Sequence, residues 1–195
     1  MVVRGVLEVR VAKRLFIAAD IDEHTRDEIG GISRAVRAAV GTSVKASWVH
    51  PDRMRLTLCF FGTADAALEH RITEALVEPV GEHPFDLSFE GLGFFPERGS
   101  PRVLWLAVDC GGRELCRIQQ MLQHRLELLP EREEFRPHLT LARIKERVPR
   151  ADVAKIADIA ASAGPSRIDR VTLYESRLSP QGPIYVHIAE APLQP

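Results

Sequence analysis

The most informative segment of this sequence is Phe135-Arg136-Pro137-His138-Leu139-Thr140-Leu141-Ala142-Arg143. A proline is tolerated at the start of a strand, and the residues that follow it here are typical of one. Because successive side chains of a strand point to opposite faces, His138 and Thr140 share one face, and Leu139 and Leu141 share the other. The segment therefore predicts a strand with one apolar face and one face that carries an imidazole and a hydroxyl.

A partial copy of this segment occurs earlier in the chain, Met54-Arg55-Leu56-Thr57-Leu58-Cys59-Phe60. Both copies contain X-Leu-Thr-Leu, where X is Arg55 in the first and His138 in the second. An internal duplication would place the two strands at equivalent positions in two lobes. Residues 55 and 57 would then face residues 138 and 140 across a cleft.

The apolar periodicity along the chain predicts strands and helices in mixed order. Strands are expected at 14–19, 44–49, 54–61, 85–94, 103–108, 138–144, 171–178 and 184–189, and helices at 23–39, 64–77, 112–128 and 153–161. Asp22 is the expected N-cap of the first helix. Two pairs of strands are close enough in sequence to form hairpins, which favours an α+β fold over a doubly wound parallel sheet.

Composition and length narrow the class of protein. A chain of 195 residues fits one domain, or two small lobes that share a core. No apolar run approaches the roughly 20 residues that a membrane helix needs, so no membrane association is expected. The three cysteines, Cys59, Cys110 and Cys116, have no paired spacing, and two of them lie in apolar surroundings, which favours buried thiols in a reducing cytoplasm. We therefore expect a cytoplasmic protein, and we expect it to be a monomer.

The predicted cleft suits a phosphate ester. Thr57 and Thr140 can donate hydrogen bonds to two non-bridging phosphate oxygens. His138 can take a proton from water, because an imidazole titrates near pH ~6.5. Threonine is also common in strands for its shape alone, and a lone histidine in a strand is more often structural. The repetition of the pattern favours the chemical interpretation over the structural one.

Other function classes lack their motifs. The net charge of −1 argues against a protein that grips long nucleic acids by charge alone. There is no Gly-rich phosphate loop ending in Lys-Ser or Lys-Thr, no His-Glu-X-X-His and no Cys-X-X-Cys. The seven histidines are dispersed, so the sequence predicts no metal site and no cofactor.

The residues from Arg14 onward resemble the two-histidine phosphoesterases, and specifically the bacterial and archaeal 2′-5′ RNA ligase or RNA 2′,3′-cyclic phosphodiesterase group. His138-Leu139-Thr140-Leu141 is similar to the His-X-Thr-X motif of that family. Further similar segments, in matching order, are Arg14-Leu15-Phe16-Ile17-Ala18, Trp48-Val49, Phe60-Phe61-Gly62, Gly91-Leu92-Gly93-Phe94-Phe95-Pro96, Pro101-Arg102-Val103-Leu104-Trp105 and Leu173-Tyr174-Glu175-Ser176-Arg177-Leu178.

This resemblance implies a bilobal α+β fold in which two antiparallel sheets face each other across a central cleft, with helices outside. It implies one phosphoesterase domain over 13–195, preceded by an extra segment at 1–12. The implied reaction is hydrolysis of an RNA 2′,3′-cyclic phosphate to a 2′-phosphomonoester without metal or cofactor. By position in the motifs, His138 is the general base and Thr57 and Thr140 bind the phosphate.

The first motif departs from the family pattern, because Arg55 stands where the family has its general-acid histidine. A guanidinium keeps its proton at neutral pH, so it cannot deliver one to a leaving group. Arg55 can still bind phosphate, stabilise negative charge and favour a neutral His138. We therefore expect retained phosphate binding with weakened or altered hydrolysis. His50, five residues upstream of Arg55, is a candidate for the missing general acid.

Three further residues are candidates for RNA contacts. Arg136 and Arg143 flank the second motif strand and can contact phosphates, although they are equally well explained as surface charges. Phe95 can stack on a base, although core packing explains it as well. Two other functions remain open: a non-catalytic binder of RNA ends or of 2′-phosphorylated or cyclic nucleotides, and hydrolysis of another cyclic phosphate or of a 2′-5′ linkage.

Overall fold

The computed structural model describes residues 12–128 and 134–194. Of the expected extra segment at 1–12, all but the last residue therefore lies outside the described residues. In chain order the elements are β1 (Lys13–Ala19), α1 (Glu23–Val40), β2 (Ala46–Trp48), a 3₁₀ helix (Pro51–Arg53), β3 (Leu56–Ala64), α2 (Ala66–Ala75), β4 (Phe85–Phe95), β5 (Val103–Val108), α3 (Gly112–Arg125), β6 (His138–Ile144), α4 (Arg150–Ala157), β7 (Ser162–Ile168), β8 (Arg170–Arg177) and β9 (Ile184–Pro192).

Two antiparallel sheets form the body of the protein. One has the strand order β3-β1-β8-β9 and the other has the order β2-β6-β5-β4-β7. When the short edge strand β2 is set aside, the two orders correspond strand by strand, with β3 matching β6 and β1 matching β5. This correspondence confirms the α+β fold and supports the duplication inferred from the two motif strands.

Helix α1 forms where the sequence predicts it. Asp22 caps it, because Oδ1 of Asp22 accepts a hydrogen bond from the amide of Thr25 at 2.8 Å. Its apolar residues Ile29, Ile32, Val36 and Val40 are buried, and the helix contacts β7 and α4. The chain leaves the helix at Gly41, which has a φ of 54° that glycine adopts without steric cost.

The region before β8 differs from the expectation. The helix predicted at 153–161 begins earlier, at Arg150, and ends at Ala157. The sequence pattern also missed β7, because Gly164 and Pro165 are poor strand residues. Strand β7 is nevertheless possible at this place because it lies at the edge of its sheet, where a missing amide donor costs little. At Gly164, with a φ of +102°, a Cβ would lie 2.9 Å from the carbonyl oxygen of Leu87.

The apolar faces of the two motif strands lie in the hydrophobic core. Leu56 and Leu58 of β3 are buried, and so are Leu139 and Leu141 of β6. This burial fixes which face of each strand is left for the cleft, since a slip of one residue would turn all the leucines outward. None of the helices within 12–128 and 134–194 combines the length and apolar character of a membrane-spanning segment.

Candidate active site

Each motif strand contains a β-bulge directly after its threonine. In β3, Ile17 pairs with Cys59 and Ala18 pairs with Thr57, which leaves Leu58 as the extra residue. In β6, the corresponding pairs leave Leu141 as the extra residue.

The bulge changes which later side chains share the face of the threonine. Simple alternation would place Ala142 beside Thr140, but Leu141 and Ala142 are both buried. Arg143 is exposed and returns to the face of Thr140. In β3 the same shift buries both Leu58 and Cys59 and exposes Phe60.

Both threonines line one cavity of about 200 Å³ between the two sheets. The predicted site residues Arg55, Thr57, Thr140 and Arg143 all contribute to its wall, as do Arg53 and Tyr185. Two larger hollows, of about 780 and 810 Å³, lie elsewhere on the surface and contain none of the predicted site residues. The cavity between the sheets is therefore the candidate site.

The cavity is built for an anion. Three guanidinium groups line it, those of Arg53, Arg55 and Arg143, and no carboxylate does. Arg143 has no ion-pair partner among the described residues, so its charge is available to a ligand. Arg53 is held in place because its Nη1 donates to the carbonyl oxygen of Gln181 at 2.9 Å. Guanidinium groups and threonine hydroxyls are donors that suit a phosphate.

The Arg53 position depends on a glycine in the turn between β8 and β9. Gly182 has a φ of +103°, and a Cβ there would lie 2.3 Å from Nη1 of Arg53. Only glycine therefore lets this guanidinium lie against the turn.

His138 lies two residues before Thr140 on the same face of β6, but it is not among the residues that line the cavity. Its Nδ1 is 2.8 Å from the carbonyl oxygen of Arg136. A carbonyl only accepts hydrogen bonds, so Nδ1 carries the proton and Nε2 keeps a free lone pair. Burial and the positive charge of Arg143 lower the pKa of His138, against the opposing effect of the Arg136 carbonyl. The imidazole is therefore neutral at neutral pH and can accept a proton.

An aromatic wall holds the His138 ring. Phe95 meets it edge-to-face at 5.0 Å between ring centroids, and Trp105 lies 6.2 Å away. Trp105 reaches this place because it lies over Gly93 of β4, where a Cβ would come within 2.3 Å of the indole ring. Phe95 also packs on Trp105, with centroids 4.9 Å apart. In this structure Phe95 thus contacts the predicted base.

Arg55 is fixed by a cluster of side chains from distant parts of the chain. Its Nε donates to Oδ1 of Asp20 at 2.9 Å, and its side chain is only 12% exposed. The guanidinium carbon lies 4.5 Å from the ring centroid of Tyr174 and 4.9 Å from that of Tyr185. Nη1 of Arg55 is buried without a hydrogen-bond partner in the described structure. The cluster therefore holds a cation at the cavity wall, where an anionic ligand can use it.

The Tyr174 hydroxyl is committed within this cluster. It donates to Oδ2 of Asp20 at 2.6 Å. Burial, together with the hydrogen bond to Asp20 and its charge, raises the pKa of Tyr174 to about 12. Tyr174 therefore keeps its proton and orients the carboxylate that holds Arg55.

Two residues considered from the sequence lie apart from the cavity. The guanidinium of Arg136 is paired with Glu97 on the surface, and only its backbone carbonyl reaches His138. His50 is 64% exposed and lies 3.2 Å from Asp52. Sequence reasoning missed Asp20, Arg53, Trp105 and Tyr185 as site residues, because none lies in either of the two X-Leu-Thr-Leu segments.

The described residues contain no cluster of three His, Cys, Asp or Glu side chains suited to a metal ion. The donors around the cavity are hydroxyl, guanidinium and imidazole groups. Of these, only the imidazole is a common metal ligand.

Comparison with protein families gives a match over most of the chain. The model of the 2′-5′ RNA ligase superfamily matches residues 35–179. An Archaeoglobus fulgidus protein named RNA 2′,3′-cyclic phosphodiesterase is 38% identical over 179 residues, which cover 88% of this chain and 96% of the relative. A protein of the same name from Thermotoga maritima is 33% identical, with 88% of this chain and 91% of the relative covered.

Solved structures share the fold. E. coli LigT complexed with 3′-AMP superposes with a TM-score of 0.72 at 22% identity, covering 94% of this chain and 99% of that one. A Thermus thermophilus protein superposes with a TM-score of 0.70 at 24% identity, covering 92% and 97%.

Proposed function

This chain belongs to the 2′-5′ RNA ligase superfamily, and from that membership we propose that it hydrolyses the 2′,3′-cyclic phosphate at an RNA end to a 2′-phosphomonoester. The observation that carries the proposal is the cavity that joins Thr57 and Thr140, together with a neutral His138 two residues before Thr140 on the same face of β6. The names of its relatives give the same reaction class.

The cavity suggests how the cyclic phosphate binds. Thr57 and Thr140 donate one hydrogen bond each to the two non-bridging oxygens, one from each sheet. Arg143 and Arg55 supply positive charge on the two sides of the phosphate, where negative charge grows in the transition state. The remaining nucleotides would extend toward the open surface of the cleft.

His138 is the proposed general base. Residues two apart in a strand are separated by about 6.5 Å. This separation leaves room for one water between His138 and a phosphate bound at Thr140. Nε2 of His138 takes the proton of that water while its oxygen attacks phosphorus. The Arg136 carbonyl holds the ring in the required tautomer, and Phe95 limits its rotation.

We expect Arg55 to slow turnover relative to a histidine at the same position. It occupies the first-motif position yet cannot release a proton, and loss of a positioned general acid costs on the order of 10²–10⁴ in rate. Its fixed cation compensates in part by stabilising the pentavalent phosphorane charge.

The same observation favours a second function, a binder that retains 2′-phosphorylated or cyclic ends without turning them over. All anion-binding groups are present in the cavity, whereas the first-motif acid is replaced by Arg55. Binding and turnover must therefore be measured on the same preparations.

The proposed setting is the cytoplasm, with the protein acting as a monomer on RNA ends. Cys110 and Cys116 are not joined in a disulfide, which fits a reducing compartment. The cavity is formed by both sheets of one chain, so it needs no residue from a second copy.

The test is turnover of a 2′,3′-cyclic nucleotide by the parent and by His138→Ala, with binding of the matching 2′-phosphate measured in parallel. We expect the parent to produce the monoester and His138→Ala to be at least about 100-fold slower, with similar binding. Binding without turnover in the parent would favour the second function. Equal turnover by both proteins would refute the assigned base.

A further inference from the structure

We propose that Tyr185 is the general acid of this site, donating its proton to the leaving 3′ oxygen in the place of the imidazole that Arg55 replaces. The inference rests on the proposed hydrolysis of a cyclic phosphate. It assigns a catalytic role to a residue outside both motifs.

The position of Tyr185 supports the assignment. It lies in β9 and lines the cavity together with Thr57 and Thr140. Phe16 meets its ring edge-to-face, with 4.9 Å between the two ring centroids. The guanidinium carbon of Arg55 also lies 4.9 Å from the Tyr185 ring centroid. The ring is therefore held in place by its neighbours. Its hydroxyl has no hydrogen-bond partner within the described residues, so it is free to meet a ligand.

The other polar groups near the cavity are unsuited to the task. The cavity lining contains three guanidinium groups, which keep their protons, and the alcohols of Ser47, Thr57 and Thr140. A phenol is a far stronger acid than an alcohol and still carries its proton at neutral pH. Among the described side chains that line the cavity, Tyr185 is therefore the best proton donor.

Two neighbouring acids are also excluded. The Tyr174 hydroxyl is bound to Asp20 at 2.6 Å, so its proton is engaged. His50 is paired with Asp52 on the exposed surface and does not line the cavity.

Arg55 gives this donor its electrostatic support. When Tyr185 gives up its proton, a negative charge is left on its oxygen, and the Arg55 guanidinium carbon lies 4.9 Å from the centroid of the same ring. Arg55 is kept beside Tyr185 by its ion pair with Asp20. The guanidinium that cannot act as an acid thus assists the residue that can.

Two proton transfers accompany the proposed cleavage. His138 takes one proton from the attacking water, and the water oxygen forms a new bond to phosphorus. The bond from phosphorus to the 3′ oxygen breaks, and that oxygen takes the Tyr185 proton to become a hydroxyl. The products are a 2′-phosphomonoester, a tyrosinate beside Arg55 and an imidazolium. Transfer of the imidazolium proton through water to Tyr185 restores the site.

The experiment compares steady-state turnover of a 2′,3′-cyclic nucleotide by the parent, Tyr185→Phe and Tyr174→Phe. We expect Tyr185→Phe to lower kcat about 100-fold, and to change the dissociation constant of the 2′-phosphate product less than about threefold. Tyr174→Phe is the comparison for positioning, because its ring also stacks on Arg55 while its hydroxyl binds the carboxylate that holds Arg55. Loss of that hydrogen bond should lower kcat less than about tenfold.

A double-mutant cycle with Arg55→His separates proton donation from positioning. In the Arg55→His background the new imidazole supplies the proton, so Tyr185→Phe should cost less than about tenfold. Tyr185→His, which puts another proton donor at the same place, should recover at least about tenfold over Tyr185→Phe. An equal cost of Tyr185→Phe in both backgrounds would mean a positioning role and would overturn the assignment.

The outcomes distinguish the two proposals. A parent that turns over the cyclic phosphate, with Tyr185→Phe within about threefold of it, overturns the role of Tyr185 and leaves the proposed function intact. A parent that binds the 2′-phosphate and shows no turnover contradicts the proposed function, and the role of Tyr185 with it.

Discussion

Thr57 and Thr140 occupy equivalent places in the two sheets, each directly before a β-bulge and each in the wall of the same cavity. The correspondence extends to the residues around them, since Arg55 matches His138 and Phe60 matches Arg143. In the proposed function, the symmetric parts bind the phosphate from both sides. The asymmetric parts divide the chemistry, with the proposed base in one half and a fixed cation in the other.

The two threonines should contribute similarly to phosphate binding. Thr57→Val and Thr140→Val each remove one hydrogen bond to a charged ligand while keeping the side-chain shape. Such a bond is worth about 1.5–3 kcal/mol, so each change should weaken binding of a 2′-phosphorylated nucleotide about 10-fold to 100-fold by calorimetry. Thr63→Val, at the far end of β3 and outside the cavity, is the control. Affinity within twofold of the parent for both cavity variants would contradict the proposed phosphate position.

The pH dependence of turnover should report His138. Because burial and Arg143 lower its pKa, the neutral base persists below the usual titration range. The acidic limb of kcat/KM should therefore lie below pH ~6.5. Arg143→Gln removes a positive charge and should move that limb toward higher pH.

Arg136→Gln is the matched control for this pH profile. It also removes a charge near the second motif, but it leaves the backbone carbonyl that binds Nδ1 of His138. The acidic limb of kcat/KM for Arg136→Gln should therefore lie at the same pH as that of the parent. A limb that moves equally in both variants, or in neither, would contradict the role of Arg143.

Gly93 should be required for the wall behind His138. In Gly93→Ala the new Cβ would overlap the Trp105 ring, which must then move toward Phe95 and His138. We expect a loss of about 1–3 kcal/mol in the free energy of unfolding, measured in urea, and a drop in turnover. Gly31→Ala in α1, where the nearest atom is a flexible arginine end at 3.8 Å, should be neutral or stabilising. A fully stable and active Gly93→Ala protein would show that Trp105 does not position the base.

Arg55→His should increase turnover. The Asp20 carboxylate that now binds Arg55 would favour the protonated form of an imidazole at the same position, and that form is the acid required. We expect kcat for a 2′,3′-cyclic nucleotide to rise at least about tenfold. Arg55→Lys, which keeps a cation without supplying a comparable acid, is the control and should show no gain. An Arg55→His protein no faster than the parent would contradict the view that this residue limits hydrolysis.

Local patterns in the sequence predict much of this structure. Alternation and the leading proline place β6 at its observed bounds, and the Asp22 cap marks the start of α1. The paired motifs also anticipate that Arg55, Thr57 and Thr140 share a cavity.

The remaining features depend on contacts between distant parts of the chain. Strict alternation would put Ala142 beside Thr140, and only the bulge brings Arg143 there. The cluster around Arg55 joins Asp20 after β1 to tyrosines in β8 and β9, and no short pattern announces it. Strand β7 forms because the edge beside β4 accepts it, despite its unfavourable composition.

The most direct test of the central claim is the identity of the product formed from an RNA oligonucleotide that ends in a 2′,3′-cyclic phosphate. Phosphorus NMR of the reaction with the parent protein separates the cyclic diester from the two monoesters. We expect conversion of the cyclic signal to the 2′-phosphomonoester alone, and no conversion on the same timescale with His138→Ala. A cyclic signal that persists with the parent, or a 3′-phosphomonoester as the product, would contradict the central claim.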